Sequence, residues 1–395
     1  MRQSQSLGGE ALAVEAVTRA LEAAAALRGG VEVEVDPAHV AASVRSERLM
    51  RIDGVPMPGF APLSRYWPAS DGWIRTHANY PWHQDALLRA LGAGVEDVGA
   101  VIASSAVADV EARAFAAGGL AVAVRDAAEW RGLAGDSGPL IEVDTFAGAA
   151  PRSSRRLRVL DLTRVIAGPV GTRLLGVLGA DVLRVDPPGR PELELHRWDG
   201  LLAKRSAILD LADPRRETLL SAADIVVTGY RPGALDRFGL SPEVLVERHP
   251  GLVIVTLSAW GDTPGFSGRR GFDSLVQAAT GIALTYGEPG ALPCQLLDHV
   301  AGYLIAAAAL EGVAAQRQIG GTHVARIALT AIAAELLRRP LVNDTNLDPT
   351  PYLVSLGPRL NAVAAPGRLD GESLRWPGPP ARYGADQPEW LPDLN

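Results

Sequence analysis

The chain reads as an α/β protein, a doubly wound parallel Rossmann-like large domain joined to a smaller α+β domain. Three observations predict this. From Leu157 onward, short apolar runs alternate with short helical patterns, the mark of a parallel sheet with covering helices. Upstream, Tyr66-Trp67-Pro68-Ala69-Ser70-Asp71-Gly72-Trp73-Ile74 reads as two short aromatic strands about an Asp-Gly turn, followed by helices rather than by alternation. Between them, residues 134–156 are rich in Gly, Ala, Ser and Pro and end in a basic run, the composition of a linker. At 395 residues the chain can hold two or three cores.

In chain order, residues 9–28 carry a helical apolar pattern (Ala11, Val14, Val17, Leu21, Ala24, Leu27) stopped by Gly29-Gly30. Val31 to Val35 alternates like a half-exposed strand, and Pro37 opens a helix through Val44. Helices follow at 81–92, 95–103, 106–117 and 126–131. Past the linker the strands are Leu157–Leu162, Asp181–Val185, Arg205–Leu211, Ile225–Thr228 and Leu252–Ser258, with helices at Pro169–Leu178, Arg215–Ala222 and Pro242–Arg248. The resulting division is 1–48 helix-strand-helix, 49–133 small domain, 134–156 linker, 157–340 large domain, and 341–395 a Pro- and Asp-rich tail wrapping the surface. Ala13–Val44 and Ala301–Leu337 share the order helix, Gly-Gly, strand, helix, which tilts the reading towards an internal duplication.

A net charge of -7 without a basic tract argues against nucleic acid as a partner. One cysteine, Cys294, precludes an internal disulfide and a cysteine-based zinc site. The polar N-terminus lacks a secretory signal, and the Ala-rich run 300–315 is too short to span a bilayer. The expectation is a cytoplasmic protein with no membrane partner.

Asp298 stands at the mouth of that run, whose only charge is Glu311. A carboxylate beside so apolar a face needs compensation. It can be a helix N-cap, or a desolvated nucleophile. The roles are compatible, since backbone donors at a helix start would hold the carboxylate anionic until it attacks. His299 diverges from Asp298 by about 100° on a helix and forms no dyad with it. His77 and His83 read as structural or surface residues.

The turn Thr163-Arg164-Val165-Ile166-Ala167-Gly168-Pro169 joins a strand to a Pro-bearing helix start, a place that tolerates anions. Ile166 breaks the G-x-G-x-x-G fingerprint, and Pro187-Pro188 follows Asp186, the candidate ribose-binding acid, so a nicotinamide cofactor is not expected. Arg184, Lys204, Arg205, Arg231 and Arg237 lie near strand ends, where open α/β sheets bind ligands. Together, in an acidic chain, they suggest a phosphate-bearing ligand.

Four segments in order carry a resemblance: Val159-Leu160-Asp161-Leu162-Thr163-Arg164-Val165-Ile166-Ala167-Gly168-Pro169, Leu178-Gly179-Ala180-Asp181-Val182-Leu183-Arg184-Val185-Asp186-Pro187-Pro188-Gly189, Lys204-Arg205-Ser206-Ala207-Ile208-Leu209-Asp210-Leu211, and Ala223-Asp224-Ile225-Val226-Val227-Thr228-Gly229-Tyr230-Arg231-Pro232-Gly233. The chain resembles the family III CoA-transferases (the formyl-CoA and carnitine CoA-transferase group, with the α-methylacyl-CoA racemases) over about 157–340. Gly271-Phe272-Asp273-Ser274 and the Asp298 stretch continue it. Residues 62–131 resemble the family's small domain, which here precedes the large one, a rearranged order.

The resemblance implies that Asp298 attacks an acyl-CoA thioester and that coenzyme A enters as substrate, with no tightly bound cofactor. It matches Val165 and Ala167 to the adenine pocket, Lys204 and Arg237 to CoA phosphates, and Tyr230 to an aromatic packing on CoA. Ile166 replaces a Gln of formyl-CoA transferase, and Gly229 replaces the family's usual Asn. It further implies a homodimer acting on acyl-CoA and carboxylic acid substrates. Two alternatives stay open: a non-catalytic CoA-binding or scaffold homologue, and a 2-methylacyl-CoA racemase, whose proton-shuttling His has no counterpart at Phe272-Asp273.

Overall fold

The structure is a computed structural model in which residues 5–153, 156–285, 287–343 and 347–392 are described. Its centre is a seven-stranded sheet built from β1 (Glu142–Phe146), β2 (Arg158–Leu162), β3 (Asp181–Asp186), β4 (Arg205–Ile208), β5 (Ile225–Thr228), β6 (Val253–Ser258) and β7 (Thr322–Ala328). The order across the sheet is β4-β3-β2-β5-β6-β7-β1. All neighbours pair in parallel except β1, which runs antiparallel to β7, Val324 opposite Asp144. The strand order reverses between β2 and β5, the point at which doubly wound sheets open a crevice beyond the strands' carboxyl ends.

Strand residues alternate between two cores because successive side chains point to opposite faces. Val159, Val182, Ile225, Val227, Val253 and Val255 join one core, and Leu160, Leu183, Val226 and Ile254 the other. Both faces are apolar because both are covered. The first is covered by α1 (Gly9–Ala26), α2 (Ala167–Val177) and α4 (Leu296–Ile319), with α3 (Asp273–Thr280) packed beside them. The second is covered by the helices Arg215–Ala222 and Pro242–Arg248 and by Trp390, whose indole N–H donates to the Leu219 carbonyl at 3.0 Å.

At 24 residues, α4 is longer than the sequence pattern suggests, and by length and composition it could cross a membrane. It is instead a core helix, sheathed by α1, α2 and the sheet. Glu311 meets Arg19 of α1 at 2.6 Å.

The small domain carries the expected hairpin, Tyr66–Ala69 against Gly72–Thr76, with Ala121–Ala123 as a third strand. Asp71 accepts the Val107 backbone N–H at 2.8 Å, tying the turn to the helix Val107–Ala116.

Three expectations change. The 134–156 segment holds β1, an edge strand of mostly exposed residues whose weak alternation the linker composition hid. The tail is no simple wrap: Leu360–Val363 pairs with Arg51–Ile52, and Arg368–Leu369 with Val33–Glu34, stitching the chain's two ends together. In the two candidate repeats, Gly29-Gly30 and Gly320-Gly321 all adopt positive φ, but β7 sits in the main sheet while Val33–Glu34 is a two-residue strand outside it. The likeness is one of turn and order, not of place.

Candidate active site

Helix α4 opens at Leu296, with Gln295 at the cap position making no side-chain cap, so Asp298 is the third helical residue. Asp273, the first residue of α3, takes over the capping. Its carboxylate accepts the Asp298 backbone N–H at 3.0 Å, the Leu297 backbone N–H, and the Gln277 side-chain amide. Two donors orphaned at the start of α4 are thus satisfied from a neighbouring helix. The Asp298 carboxylate accepts no hydrogen bond among the described residues. The expectation that backbone donors hold it anionic is therefore corrected: those donors serve Asp273.

Burial, then the Asp273 charge, then the Glu47 charge push the Asp298 carboxyl well above the ordinary carboxylate range. Burial also pushes Asp273 up, to about 6, against the hydrogen bonds it receives. Two neighbouring carboxyls that share a dry site cannot both ionise at ordinary cost. His299 turns away from Asp298, as the helical step predicts, and its Nε2 lies 2.8 Å from Glu47 of the N-terminal segment.

Tight packing sets α4, the helix of Asp298, against the start of α2. Gly302 lies one turn beyond Asp298 on the same face, and a Cβ there would stand 2.6 Å from the Ala167 carbonyl oxygen and 2.7 Å from Val170. Reciprocally, a Cβ on Gly171 would stand 2.4 Å from the Gly302 carbonyl oxygen. Only glycines let α2 and α4 approach this closely, and Asp298 lies one helical turn before that contact on α4. The turn is organised by buried Asp161, which accepts the Thr163 N–H at 2.9 Å, the Thr163 hydroxyl and, at 2.6 Å, the Thr172 hydroxyl. Val165 holds φ 69° there, with its N–H donated to Glu192 at 3.0 Å.

Several residues expected to meet CoA phosphates are engaged inside the protein. Lys204 is sealed against Asp161 at 2.9 Å, and burial lowers its ammonium to about 8 despite that partner. Arg184 is wholly buried between Asp186 at 2.8 Å and Glu192 at 2.9 Å. That also disposes of Asp186 as a ribose ligand. Arg205 pairs with Asp181 through two 3.0 Å contacts. Their positions at strand ends suggested ligand contact, but each strand end also had a carboxylate within reach. Ala167 is buried, and Arg237 is exposed, stacked over Phe238 at 4.5 Å.

Tyr230 and Arg231 do reach open space. They line a cleft of about 1030 Å³ with Thr228, Ser258, Trp260 and Arg326, at the carboxyl ends of β5, β6 and β7, as the switch-point rule expects. Asp298 is not on its wall. Helix α3 links the two, with Asp273 at one end against Asp298 and Thr280 at the other lining the cleft.

Sequence reasoning missed Asp273, Glu47 and Glu192 as participants. Glu192 is a hub that joins Arg184, the Val165 N–H and the hydroxyl of Tyr80 from the small domain. Asp273 lies in the Gly271-Phe272-Asp273-Ser274 segment, and its place at a helix start after Gly271-Phe272 is a usable signal. Glu47 and Glu192 carry none, because only the tertiary fold brings them in.

The fold and this carboxylate pair define an α/β protein with a mostly parallel seven-stranded sheet and a buried acidic site. The chain belongs to CoA-transferase family III, whose model matches residues 155–362. It is 30% identical over 210 residues to a probable fatty acyl-CoA transferase of Mycobacterium tuberculosis, covering 48% of this chain and 53% of that protein. It is 34% identical over 190 residues to a succinyl-CoA–D-citramalate CoA-transferase of Chloroflexus aurantiacus, covering 43% and 47%. The chain thus spans about half the length of these relatives. A solved structure of a hypothetical protein from Mycobacterium tuberculosis matches at 30% identity with a TM-score of 0.43, over 47% of this chain and 57% of that one.

Proposed function

We propose that this protein moves CoA from an acyl-CoA thioester to a carboxylic acid, with Asp298 as the covalent nucleophile. The observation that carries this is a buried carboxyl that accepts no hydrogen bond among the described residues, one helical turn from the α2–α4 contact and within the family-matched region. The ionised Asp298 carboxylate attacks the thioester carbon and CoA thiolate leaves, giving a mixed anhydride. The thiolate then attacks the aspartyl carbonyl, releasing the first acid and leaving an aspartyl-CoA thioester. The acceptor carboxylate attacks that thioester, and the returning thiolate takes the acceptor's acyl group, restoring Asp298. A carboxylate enters and a carboxylate leaves, so the cycle needs no net proton transfer. Tyr230 and Arg231, on the cleft wall, are assigned to the CoA portion. The working form in this reading is a cytoplasmic homodimer, for which a monomeric mass in solution is the contrary result.

The test is intact-mass analysis after incubation with a panel of acyl-CoAs. An acyl or CoA adduct on Asp298 is expected, and Asp298→Ala should lose adduct and exchange by about 10³-fold or more, as other nucleophile deletions do. Normal exchange by the Ala variant would falsify the mechanism.

A further inference from the structure

The small-domain strand Gly72–Thr76 has two faces with different surroundings. Ile74 lies in the small domain's own core. On the same face, the Thr76 hydroxyl donates to the Leu63 carbonyl at 2.6 Å and accepts the Trp67 indole N–H at 2.8 Å. Arg75 and His77 therefore face away from that core. The strand neighbour of Arg75 on one side, Val122, belongs to the large domain's core. Its neighbour on the other side, Tyr66, donates its hydroxyl to the Gly290 carbonyl at 2.7 Å. His77 stacks on Phe272 with ring centroids 3.9 Å apart, and Phe272 immediately precedes Asp273.

Arg75 breaks the pattern of charge pairing in this seam between the domains. It is only 5% exposed, yet among the described residues it makes no ion pair and no hydrogen bond, and its Nε is sealed without a partner. The other two arginines buried as deeply, Arg173 and Arg184, face carboxylates at 2.5 and 2.8 Å. Two rings hold Arg75 instead, Tyr66 at 4.8 Å and Phe60 at 4.9 Å from the guanidinium carbon. Burial presses the guanidinium towards its neutral form, opposed by the charges of Tyr66 and Asp273. The Tyr66 hydroxyl is itself pushed up to about 12 by burial, so at ordinary pH only Asp273 supplies a charge. Around Phe272, the Ser274 hydroxyl and the His77 Nδ1 are likewise buried without a partner among the described residues.

A buried guanidinium without a counter-ion is costly to keep in a fold. Held between two rings, its planar fork is preorganised to take a carboxylate through two parallel hydrogen bonds. We propose that Arg75 is a substrate-binding residue that receives a carboxylate of the acid substrate in the seam between the small domain and α3, beside Asp273. Two carboxylates have this chemistry, the reacting one of the acid and the distal one of a dicarboxylic acid. Naming the acid as a CoA acceptor rests on the transferase reading, whereas the binding of a carboxylate at Arg75 does not.

The experiment follows the Tm of the full chain against acetate and, separately, succinate, with ionic strength held constant by sodium chloride. Wild type, Arg75→Met, Arg75→Lys and Asp298→Ala are compared, and the dependence of Tm on acid concentration gives an apparent Kd. Wild type is expected to bind at least one acid, with Kd weakened about tenfold or more in Arg75→Met and by less in Arg75→Lys. Binding of acetate assigns Arg75 to the reacting carboxylate, and binding of succinate alone to a distal one. Without acid, Arg75→Met should melt no lower than wild type, because Met keeps most of the volume and removes an unpaired charge. Asp298→Ala should bind acid at least as tightly as wild type, so failure of the covalent mechanism leaves this result untouched. In an exchange assay, Arg75→Lys should raise KM for the acid and leave KM for acyl-CoA unchanged. The proposal is overturned if neither acid binds wild type, or if Arg75→Met binds as tightly as wild type. It is equally overturned if acid-free Arg75→Met melts well below wild type, the mark of a structural arginine.

Discussion

The Asp273 carboxylate accepts the backbone N–H of Asp298 at 3.0 Å, so one acid caps the helix on which the other sits. The pairing secures the helix start and sets two carboxyls side by side in a dry place. Asp298 bears the cost, since its ionised form is opposed by burial and by Asp273.

That arrangement predicts the pH dependence of exchange. A nucleophilic Asp298 must be ionised, and its carboxyl lies well above the ordinary range. The rate should therefore rise with pH through a region above that of ordinary carboxylates, rather than being flat from pH 5. Asp273→Asn removes the neighbouring negative charge and should shift the acid limb to lower pH. A pH–rate series on both proteins measures this, and superimposable limbs count against the coupling.

The same shifts fix a sign for stability. A carboxyl whose folded pKa is raised binds more protons folded than unfolded, so ionising it destabilises. For Asp273, at about 6, stability is full below pH ~4 and falls as pH rises towards 6. Asp298 extends the loss to higher pH. Asp298→Asn should accordingly raise Tm at pH 8 by roughly 2 °C or more, with little gain at pH 4, while abolishing exchange. Thermal melts at the two pH values decide it, and a lower Tm at pH 8 contradicts the strained-acid account.

Lys204 separates structural from ligand roles. Its ammonium is the buried partner of Asp161, which orders the turn beside Asp298. Lys204→Met leaves that carboxylate uncompensated and should cost about 3–5 kcal/mol. Denaturant melts give the cost. A variant of unchanged stability with a raised KM for acyl-CoA would return Lys204 to the ligand-binding set.

Sequence periodicity made the sheet legible because each parallel strand is apolar on both faces, as at Ile225–Thr228 and Val253–Val255. It failed on Glu142–Phe146, where an edge strand has little to bury. Asp298 stood out because a charge beside an apolar run is expensive. The charge of Glu47 near it did not, nor did Glu192 at the β2–α2 turn, since both are brought in from distant segments. Counting cations near strand ends misjudged Arg184, Lys204 and Arg205, because sequence does not tell which carboxylate each will face.

The final prediction concerns the helix crossing that positions Asp298. A Cβ on Gly302 meets the Ala167 carbonyl oxygen at 2.6 Å and Val170 at 2.7 Å, distances that neither backbone nor a β-branched side chain can relieve locally. Gly302→Ala must therefore push α4 away from α2, at a cost of about 1–3 kcal/mol. Because Asp298 is one turn away on the same face, exchange should fall more than stability does, on the order of 10²-fold for a displacement near 1 Å. Gly312, ten residues further along α4, provides the control. Its Cβ would meet Val253 at 2.6 Å, far along the helix from the carboxylate, so Gly312→Ala should lower Tm comparably with a much smaller loss of exchange. Equal loss of activity in both variants would show that overall destabilisation, and not the placement of Asp298, limits the reaction.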